Sequence, residues 1–303
     1  MVLNQWLEKW LEVYKIRSCR PKTIEGYRVL IGHAAPIGAV PLDQLTPEDV
    51  QSAINAQLDA GNSRQAQALF IMLNQALARA VRSRIIAANP CALLDKPRHE
   101  QQHGRAITSE ELERLLPEAE LSPIWPAIAL ALYAGLRRGE IAALQWADID
   151  LQKGWLHVHA AAVRVDHQLM IGPPKSAAGV RDIPISAELL PILRAARRAQ
   201  PFGRVCPCAP ETIGRAWHRL QIDAGIEKPY TFHDLRHTCA TRWINRGMVA
   251  KHAQYLLGHA SLSLTVDLYA HHDLAAIRAD FLRVDSFNDA PKNAPHDWKS
   301  CYG

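Results

Sequence analysis

Apolar residues in the first third of the chain recur every three or four positions, the spacing of one helix face. The first set predicts an amphipathic helix over 1–17 and consists of Trp6, Leu7, Trp10, Leu11 and Tyr14. A second helix is predicted from near Pro21. The sequence Thr46-Pro47-Glu48-Asp49 predicts a third helix start, because it combines an N-cap hydroxyl, a proline and two acids. A long helix is then predicted from about Ser63 to Ile86, so segment 1–97 is expected to be all helix.

The pattern changes after a polar stretch over 96–104 that contains proline, glycine and two histidines. Thr108 and Glu111 form a capping box that predicts a new helix start. Short apolar runs broken by Gly and Pro then predict a small antiparallel sheet of about three strands inside a helical domain. These runs centre on 156–159, 169–171 and 181–185.

The expected fold is therefore mainly α with a small antiparallel β-sheet, an α+β architecture. Its predicted parts are a helical domain over 1–97, a linker over 98–104, a larger domain over 105–284 and a loose tail over 285–303.

Composition permits two folded domains and a polyanionic partner. The 303 residues are 48% hydrophobic, enough to bury a core, and carry a formal net charge of +5. Segment 1–98 supplies most of that charge, because it holds 12 Lys and Arg against 8 Asp and Glu. These basic side chains either form an ordinary solvated surface or contact phosphates. The candidates for phosphate contact are Arg20, Lys22, Arg28, Arg64, Arg79, Arg82 and Arg84.

Two classes of protein are disfavoured by the sequence. The six cysteines are scattered through a long chain, unlike the disulfide framework of a small secreted domain. The longest apolar run, 124–136, is shorter than the roughly 20 residues that a membrane-spanning helix needs. A cytoplasmic protein is the resulting expectation.

Four short segments carry side chains suited to phosphate chemistry. Arg137 follows a glycine that interrupts an apolar helix, and Lys175 lies in a turn before a predicted strand. His233 and Arg236 are three residues apart, so they share one helix face. The last segment places Tyr269 ten residues after a Gly-His pair. Each segment has an ordinary explanation as a solvated surface group, and only their combination is informative.

Together and in this order, the segments resemble the tyrosine recombinase (phage integrase) family. That pattern is Gly-Leu-Arg followed by Glu, a hairpin lysine, His-x-x-Arg, Leu-Gly-His and a tyrosine, and every element is present here. The resemblance covers nearly the whole chain. It implies that 1–97 is a helical, SAM-like core-binding domain that contacts DNA and that 105–284 is the catalytic domain.

The resemblance also implies which residues form the new bond to phosphorus and which transfer protons. Tyr269 would be the nucleophile that attacks phosphorus and forms a 3′-phosphotyrosyl link. His233 would assist proton transfer from the tyrosine, and Lys175 would protonate the departing 5′ oxygen.

The remaining implied roles concern the phosphate oxygens. Arg137 and Arg236 would hold the non-bridging oxygens, because a guanidinium presents a planar fork of donors. His259 would donate a hydrogen bond to the phosphate. Glu140 would orient Arg137 without reacting.

The implied function is site-specific DNA recombination that needs neither cofactor, ATP nor metal. The implied partners are double-stranded DNA sites, three further copies of the chain in a tetramer, and an accessory DNA-bending or directionality factor. One alternative is a recombinase-fold protein that binds DNA without cutting it. Another is a zinc hydrolase, because His233 and His237 stand one helical turn apart.

Overall fold

The computed structural model describes residues 1–100, 104–174 and 176–258. The predicted tail over 285–303 lies outside these ranges. The chain divides into two compact units. The first comprises Met1–His103, Ala162–Gly172 and Ala209–Glu211, and the second comprises Gly104–Ala161, Pro173–Cys208 and Thr212–Gly303.

Helices form most of the first unit. They are α1 (Leu3–Trp10), a π-helical turn (Leu11–Lys15), α2 (Pro21–His33), α3 (Pro47–Asp59) and α4 (Ser63–Arg82), with 3₁₀ turns at Ala35–Ile37 and Pro90–Leu93. The core is built around α4, which packs against α2 and α3. The buried Trp6 indole of α1 joins this core and donates a hydrogen bond to the Ala76 carbonyl of α4 over 3.0 Å. Burial of large apolar side chains from each helix holds this unit together.

Capping explains where α3 begins, and a left-handed residue follows the end of α4. The hydroxyl of Thr46 accepts a hydrogen bond from the Asp49 amide, which confirms the predicted helix start. The helix predicted over 63–86 ends earlier, at Arg82, and Arg84 adopts a left-handed φ of 58°. The helix predicted over 1–17 is regular only to Trp10, after which the chain widens into the π-helical turn.

The second unit is built around one fully apolar helix. Its helices are α5 (Ser109–Glu120), α6 (Trp125–Ala134), α7 (Arg138–Ala143), α8 (Leu189–Ala199), α9 (Pro210–Asp223, which belongs to this unit from Thr212 onward), α10 (Phe232–Asn245) and α11 (Ala250–Leu257), with 3₁₀ turns at Trp146–Asp148 and Ala177–Gly179. Helix α6 is hydrophobic on all sides and is covered by α8 and α10. The predicted capping box is confirmed, since Thr108 and Glu111 each accept from the other's amide.

Five short strands within the described residues form two antiparallel sheets. They are β1 (Ile149–Asp150), β2 (Trp155–Val158), β3 (Ala161–Val165), β4 (Gln168–Gly172) and β5 (Arg181–Pro184). One sheet has the order β1-β2-β5 and the other pairs β3 with β4.

The fold class is as predicted, but the membership of the sheet is not. The three predicted strands do not share one sheet, because the segment near 169–171 pairs instead with β3, which the pattern did not reveal. The β3–β4 turn uses Asp166 and His167 with positive φ, in place of the usual Asn-Gly signal. No helix among the described residues has the length and apolar character needed to cross a membrane.

Candidate active site

A glycine turn delivers Arg137 to the edge of the helical core. Gly135 ends α6 in the left-handed conformation, and a Cβ there would come within 2.9 Å of the Leu257 side chain. The chain then extends, and Arg137 becomes the N-cap residue of α7. Its side chain remains 36% exposed, so the guanidinium is available to a ligand as well as to the protein.

Glu140 holds Arg137 by two hydrogen bonds. The Arg137 amide donates to Glu140 Oε2 over 2.9 Å, and Arg137 Nη1 donates to Oε1 over 2.8 Å. The Glu140 carboxylate is buried. Burial pushes the pKa of Glu140 upward, but hydrogen bonding and charge from Arg181, with help from Arg137, more than offset it, so this pKa lies below its ordinary value.

Arg236 is buried on the first turns of α10. That helix is capped by Thr231, whose amide and hydroxyl both donate to Asp234 Oδ2. Arg236 Nη1 donates to the Gly135 carbonyl over 2.6 Å, and Nη2 donates to the Leu257 carbonyl over 2.5 Å. Burial, followed by the charge of Arg137, lowers the pKa of Arg236 to about 9, so the guanidinium still carries its charge at neutral pH.

Arg181 is the residue that the sequence reasoning missed. It begins β5, its side chain is fully buried, and it donates to both oxygens of Glu140, over 3.2 Å and 3.0 Å. A signal was available, because alternation along β5 places residue 181 on the same inward face as the apolar Ile183. An inward-facing arginine requires a buried carboxylate or carbonyl partner.

Three successive main-chain carbonyls at the end of α11 each accept a hydrogen bond from a different arginine. Leu256 accepts from Arg181 Nε over 2.6 Å, Leu257 from Arg236, and Gly258 from Arg137 Nη2 over 2.8 Å. The last carbonyls of a helix have no partner within the helix and form the negative end of its dipole. This helix end therefore gathers three guanidinium groups at one place.

The resulting cluster has an excess of positive charge. Among the described residues, three arginines (137, 181 and 236) surround one carboxylate, that of Glu140. A guanidinium has five N–H donors, and the bonds named above engage only some of those on Arg137 and Arg236. We call these four side chains the arginine cluster, and its charge and free donor capacity suit an anion such as a phosphodiester.

His233 lies on the exposed surface of α10, three residues before Arg236. Its ring stands perpendicular to that of His237, with 4.7 Å between centroids. Asp234, between them, is occupied in capping α10 and is not placed as the general base that a zinc hydrolase would need. No group of three His, Cys, Asp or Glu side chains within 1–100, 104–174 and 176–258 is arranged to hold a metal ion.

The structure thus brings together three of the predicted site residues, Arg137, Glu140 and Arg236. Lys175, His259 and Tyr269 lie outside the described residues. Pro174 and Gly258, the chain neighbours of Lys175 and His259, are described, and Gly258 is part of the cluster's carbonyl set.

The predicted DNA-binding side chains of the first unit are mostly exposed. Lys22 pairs with Glu25 over 2.9 Å, and Arg28 lies 3.7 Å from Asp166. Arg79 is half-buried and packs over the Tyr14 ring, 4.2 Å from its centroid. The exposed members of the predicted set are Arg20, Lys22, Arg28, Arg64, Arg82 and Arg84.

Replacing Glu140 with alanine is expected to destabilise the second unit strongly. The change leaves buried Arg181 without its carboxylate, and loss of one partner from a buried ion pair costs about 3–5 kcal/mol. Urea unfolding of the purified protein measures the loss. Glu188→Ala is the matched control, because Glu188 forms an exposed pair 3.8 Å from Arg246. Equal midpoints for the two variants would contradict the described burial.

Replacing Gly258 with alanine should disturb the carbonyl set. Gly258 has a φ of +64°, and an added Cβ would lie 2.8 Å from the Ala178 carbonyl and 3.0 Å from Arg181 Nη1. The left-handed conformation alone costs a non-glycine residue about 1–2 kcal/mol. Gly154→Ala measures the conformational cost by itself, because Gly154 has a φ of +73° and an added Cβ there would meet no atom within 4 Å. Thermal melts should show the larger loss for Gly258→Ala, and equal losses would mean that the helix end tolerates the contact.

Comparison with known proteins gives matches over both units. The model of the "Phage integrase family" matches residues 105–275, and that of the "Phage integrase, N-terminal SAM-like domain" matches residues 2–58. The integrase of Enterobacteria phage 434 is 26% identical over 273 residues, which cover 86% of this chain and 74% of that protein. The integrase of Escherichia phage lambda has the same identity and coverage.

Solved structures of similar fold include two integrases. The Tn1549 transposon integrase in complex with transposon right end DNA has a TM-score of 0.77 at 22% identity, covering 94% of this chain and all of that one. A lambda integrase tetramer bound to a Holliday junction has a TM-score of 0.72 at 22% identity, covering 88% of this chain and 77% of that one.

Proposed function

This chain belongs to the phage integrase family, and we propose from that premise that it cuts and rejoins DNA through a 3′-phosphotyrosyl bond at Tyr269. Its activity class is that of a DNA strand transferase, and its function is site-specific recombination. Beyond this activity class, we propose the chemical mechanism, the residues that carry it out and the oligomeric state on DNA.

The arginine cluster is the observation that carries the proposal. A phosphodiester that is being displaced develops negative charge on its non-bridging oxygens, and fixed donors stabilise that charge. Arg137 and Arg236 are held rigidly by helix-end carbonyls and by Glu140, so they require little reorganisation when a phosphate arrives. Arg137 and Arg236 are therefore proposed to hold the scissile phosphate, with Glu140 orienting Arg137.

The covalent step exchanges one ester for another. The Tyr269 oxygen forms a bond to phosphorus, the bond from phosphorus to the 5′ oxygen breaks, and the DNA is left with a free 5′-hydroxyl. A phenol has a pKa near ~10, so it needs a base or a cationic field to react at neutral pH. His233 is proposed to take part in removing that proton. Lys175 is proposed to protonate the leaving oxygen, and His259 to donate to the phosphate.

The energy of the broken bond is retained in the tyrosyl ester, so rejoining needs no ATP. The proposal likewise assigns no metal or other cofactor to the step, because two guanidiniums and two imidazoles can spread the developing charge. Double-stranded recombination sites are the proposed substrate, four copies of the chain the proposed assembly on them, and a DNA-bending or directionality factor an accessory. The cytoplasm is the proposed location.

The proposed division of labour follows the domains expected from the sequence. Residues 1–97 would bind DNA through its phosphates, and residues 105–284 would carry out the strand cleavage and rejoining. Residues 98–104 would link these two domains. The exposed basic side chains of the first unit support a phosphate-contacting surface, which positions a protein on DNA without reading its sequence. Arg79 fits this role less well than the others, since its guanidinium packs on Tyr14.

The experiment that tests the proposal traps the covalent intermediate. The full chain is incubated with a library of duplexes of random sequence that carry a nick, from which a short 5′-hydroxyl fragment can diffuse away after cleavage. A protein–DNA species that survives denaturation should form without ATP and in the presence of a chelator, and sequencing its DNA identifies the site. Binding with no covalent species would contradict the proposal and favour a DNA-binding protein without catalysis.

A further inference from the structure

We propose that Arg181 is a positioning residue for strand transfer, one that locks Glu140 to the end of α11 and thereby sets the place of the Arg137 guanidinium. This inference rests on the proposed function, because it concerns how that site is held in shape. Arg181 would not touch the DNA.

The contacts of Arg181 join three separate segments. Its Nη1 and Nη2 donate to the two oxygens of Glu140 on α7, and Nη1 also donates to the Gly179 carbonyl over 2.9 Å. Its Nε donates to the Leu256 carbonyl on α11 over 2.6 Å. Gly179 ends the 3₁₀ turn that precedes β5, so one buried side chain joins that turn, α7 and the end of α11.

These contacts close into a ring with those of Arg137. Each oxygen of Glu140 accepts one hydrogen bond from Arg181 and one from Arg137, over distances between 2.8 Å and 3.2 Å. Arg137 then donates to the Gly258 carbonyl, two residues beyond the carbonyl that Arg181 holds. Removal of Arg181 opens the ring at both Glu140 and α11. Arg137 would then keep its charge, but the Glu140 carboxylate and the α11 carbonyl that orient its guanidinium would no longer be fixed in place.

The ring also predicts a change in pH dependence. The charged groups that face Glu140 among the described residues are Arg137, Arg181 and Arg236. Burial raises the pKa of Glu140, and Arg181 is the largest influence that lowers it. Without Arg181, Glu140 should become protonated at a higher pH. A protonated Glu140 no longer holds Arg137 as an ion pair, so activity in the variant should fall on the acidic side and recover as the pH rises.

Comparison of Arg181→Met and Arg181→Lys tests this proposal in the full chain. The rate of covalent adduct formation is measured in single turnover from acidic to alkaline pH, together with binding to intact duplex. Arg181→Met should lose adduct formation on the order of 100-fold at neutral pH, the scale of a misplacement of about 1 Å. The acidic limb of its pH–rate profile should move to higher pH, while its affinity for intact duplex stays unchanged. Arg181→Lys should recover part of the rate, since it retains the charge without the fork.

Arg204→Met is the matched control. Arg204 also donates to main-chain carbonyls of the second unit, those of Ala142 and Pro207, but it is not among the arginines that contact Glu140. This control should keep the wild-type rate and pH profile. A pH-independent loss shared by Arg181→Met and Arg204→Met would mean a purely structural role and would overturn the proposal. A wild-type rate in Arg181→Met would also overturn it.

If Arg181→Met does not fold, the rate of adduct formation is measured for Arg181→Lys, alone and in combination with Glu140→Gln. These rates show whether residue 181 acts through Glu140. A residue that acts through Glu140 should add little further loss once Glu140 is neutral, whereas additive losses would contradict the proposal. If the wild-type chain and Arg204→Met form no adduct, the proposed function fails and this inference fails with it. If they do form it, failure at Arg181 leaves the proposed function intact.

Discussion

Tyr269→Phe should reduce the covalent protein–DNA adduct to the detection limit while leaving DNA binding in place. The substitution removes only the phenol oxygen, which is the atom proposed to form the bond to phosphorus. The proposed contacts to DNA use cationic side chains that the substitution does not change, so affinity should persist. Adduct formation is followed on a denaturing gel and binding by gel shift on intact duplex.

Tyr255→Phe provides the matched control, because Tyr255 is an exposed tyrosine on α11 near the cluster. It should form the adduct at the wild-type rate. An adduct that persists in Tyr269→Phe would assign the nucleophile to a different residue. Mass spectrometry of the DNA-linked peptide would then identify that residue.

Arg236→Lys should lower the rate of adduct formation about 100–1,000-fold, the usual cost of removing one fixed donor to a developing oxyanion. Lysine keeps a positive charge but lacks the planar guanidinium of Arg236, which donates to the carbonyls of Gly135 and Leu257. A lysine therefore cannot keep both carbonyl contacts and also donate to the phosphate as proposed for Arg236. The single-turnover rate with the nicked duplex measures the loss, and binding to intact duplex should change little.

Arg242→Lys is the control on the same helix. Arg242 lies six residues further along α10, 5.8 Å from the Tyr133 ring centroid, and is not part of the arginine cluster. It should retain the wild-type rate. If Arg236→Lys were as active as Arg242→Lys, the phosphate would have to be held by other groups.

Local chemistry made several helix starts predictable from the sequence. The hydroxyls of Thr46 and Thr108 cap their helices as expected, because a cap depends on residues only three positions apart. The end of α4 was less predictable. The left-handed φ at Arg84 is one that glycine usually supplies.

Long-range pairing explains what the sequence did not reveal about the sheets. Strand β3 has the sequence Ala-Ala-Val-Arg-Val, which carries little alternation, and its turn to β4 uses Asp166 and His167. Neither feature gives a recognisable hairpin signal. The strand near 169–171 was therefore predicted correctly as a strand but assigned to the wrong sheet.

Most side chains of the candidate site were predictable from the sequence, but the groups that hold them in place were not. Arg137, Glu140 and Arg236 stand in a recognisable order in the sequence, and the structure places them together. The carbonyls of Leu256, Leu257 and Gly258 that hold the arginines belong to the main chain, which every residue shares, so no residue type marks them. Arg181 was missed because its partner Glu140 lies 41 positions away.

We propose that the scissile phosphate binds at the arginine cluster. A crystal structure of the trapped covalent complex with DNA tests it most directly. We expect the phosphorus to be bonded to the oxygen of Tyr269, with its non-bridging oxygens accepting hydrogen bonds from Arg137 and Arg236, and with Arg181 still on Glu140. A phosphotyrosyl group seated away from both guanidiniums, or a phosphate bonded to another side chain, would contradict this account.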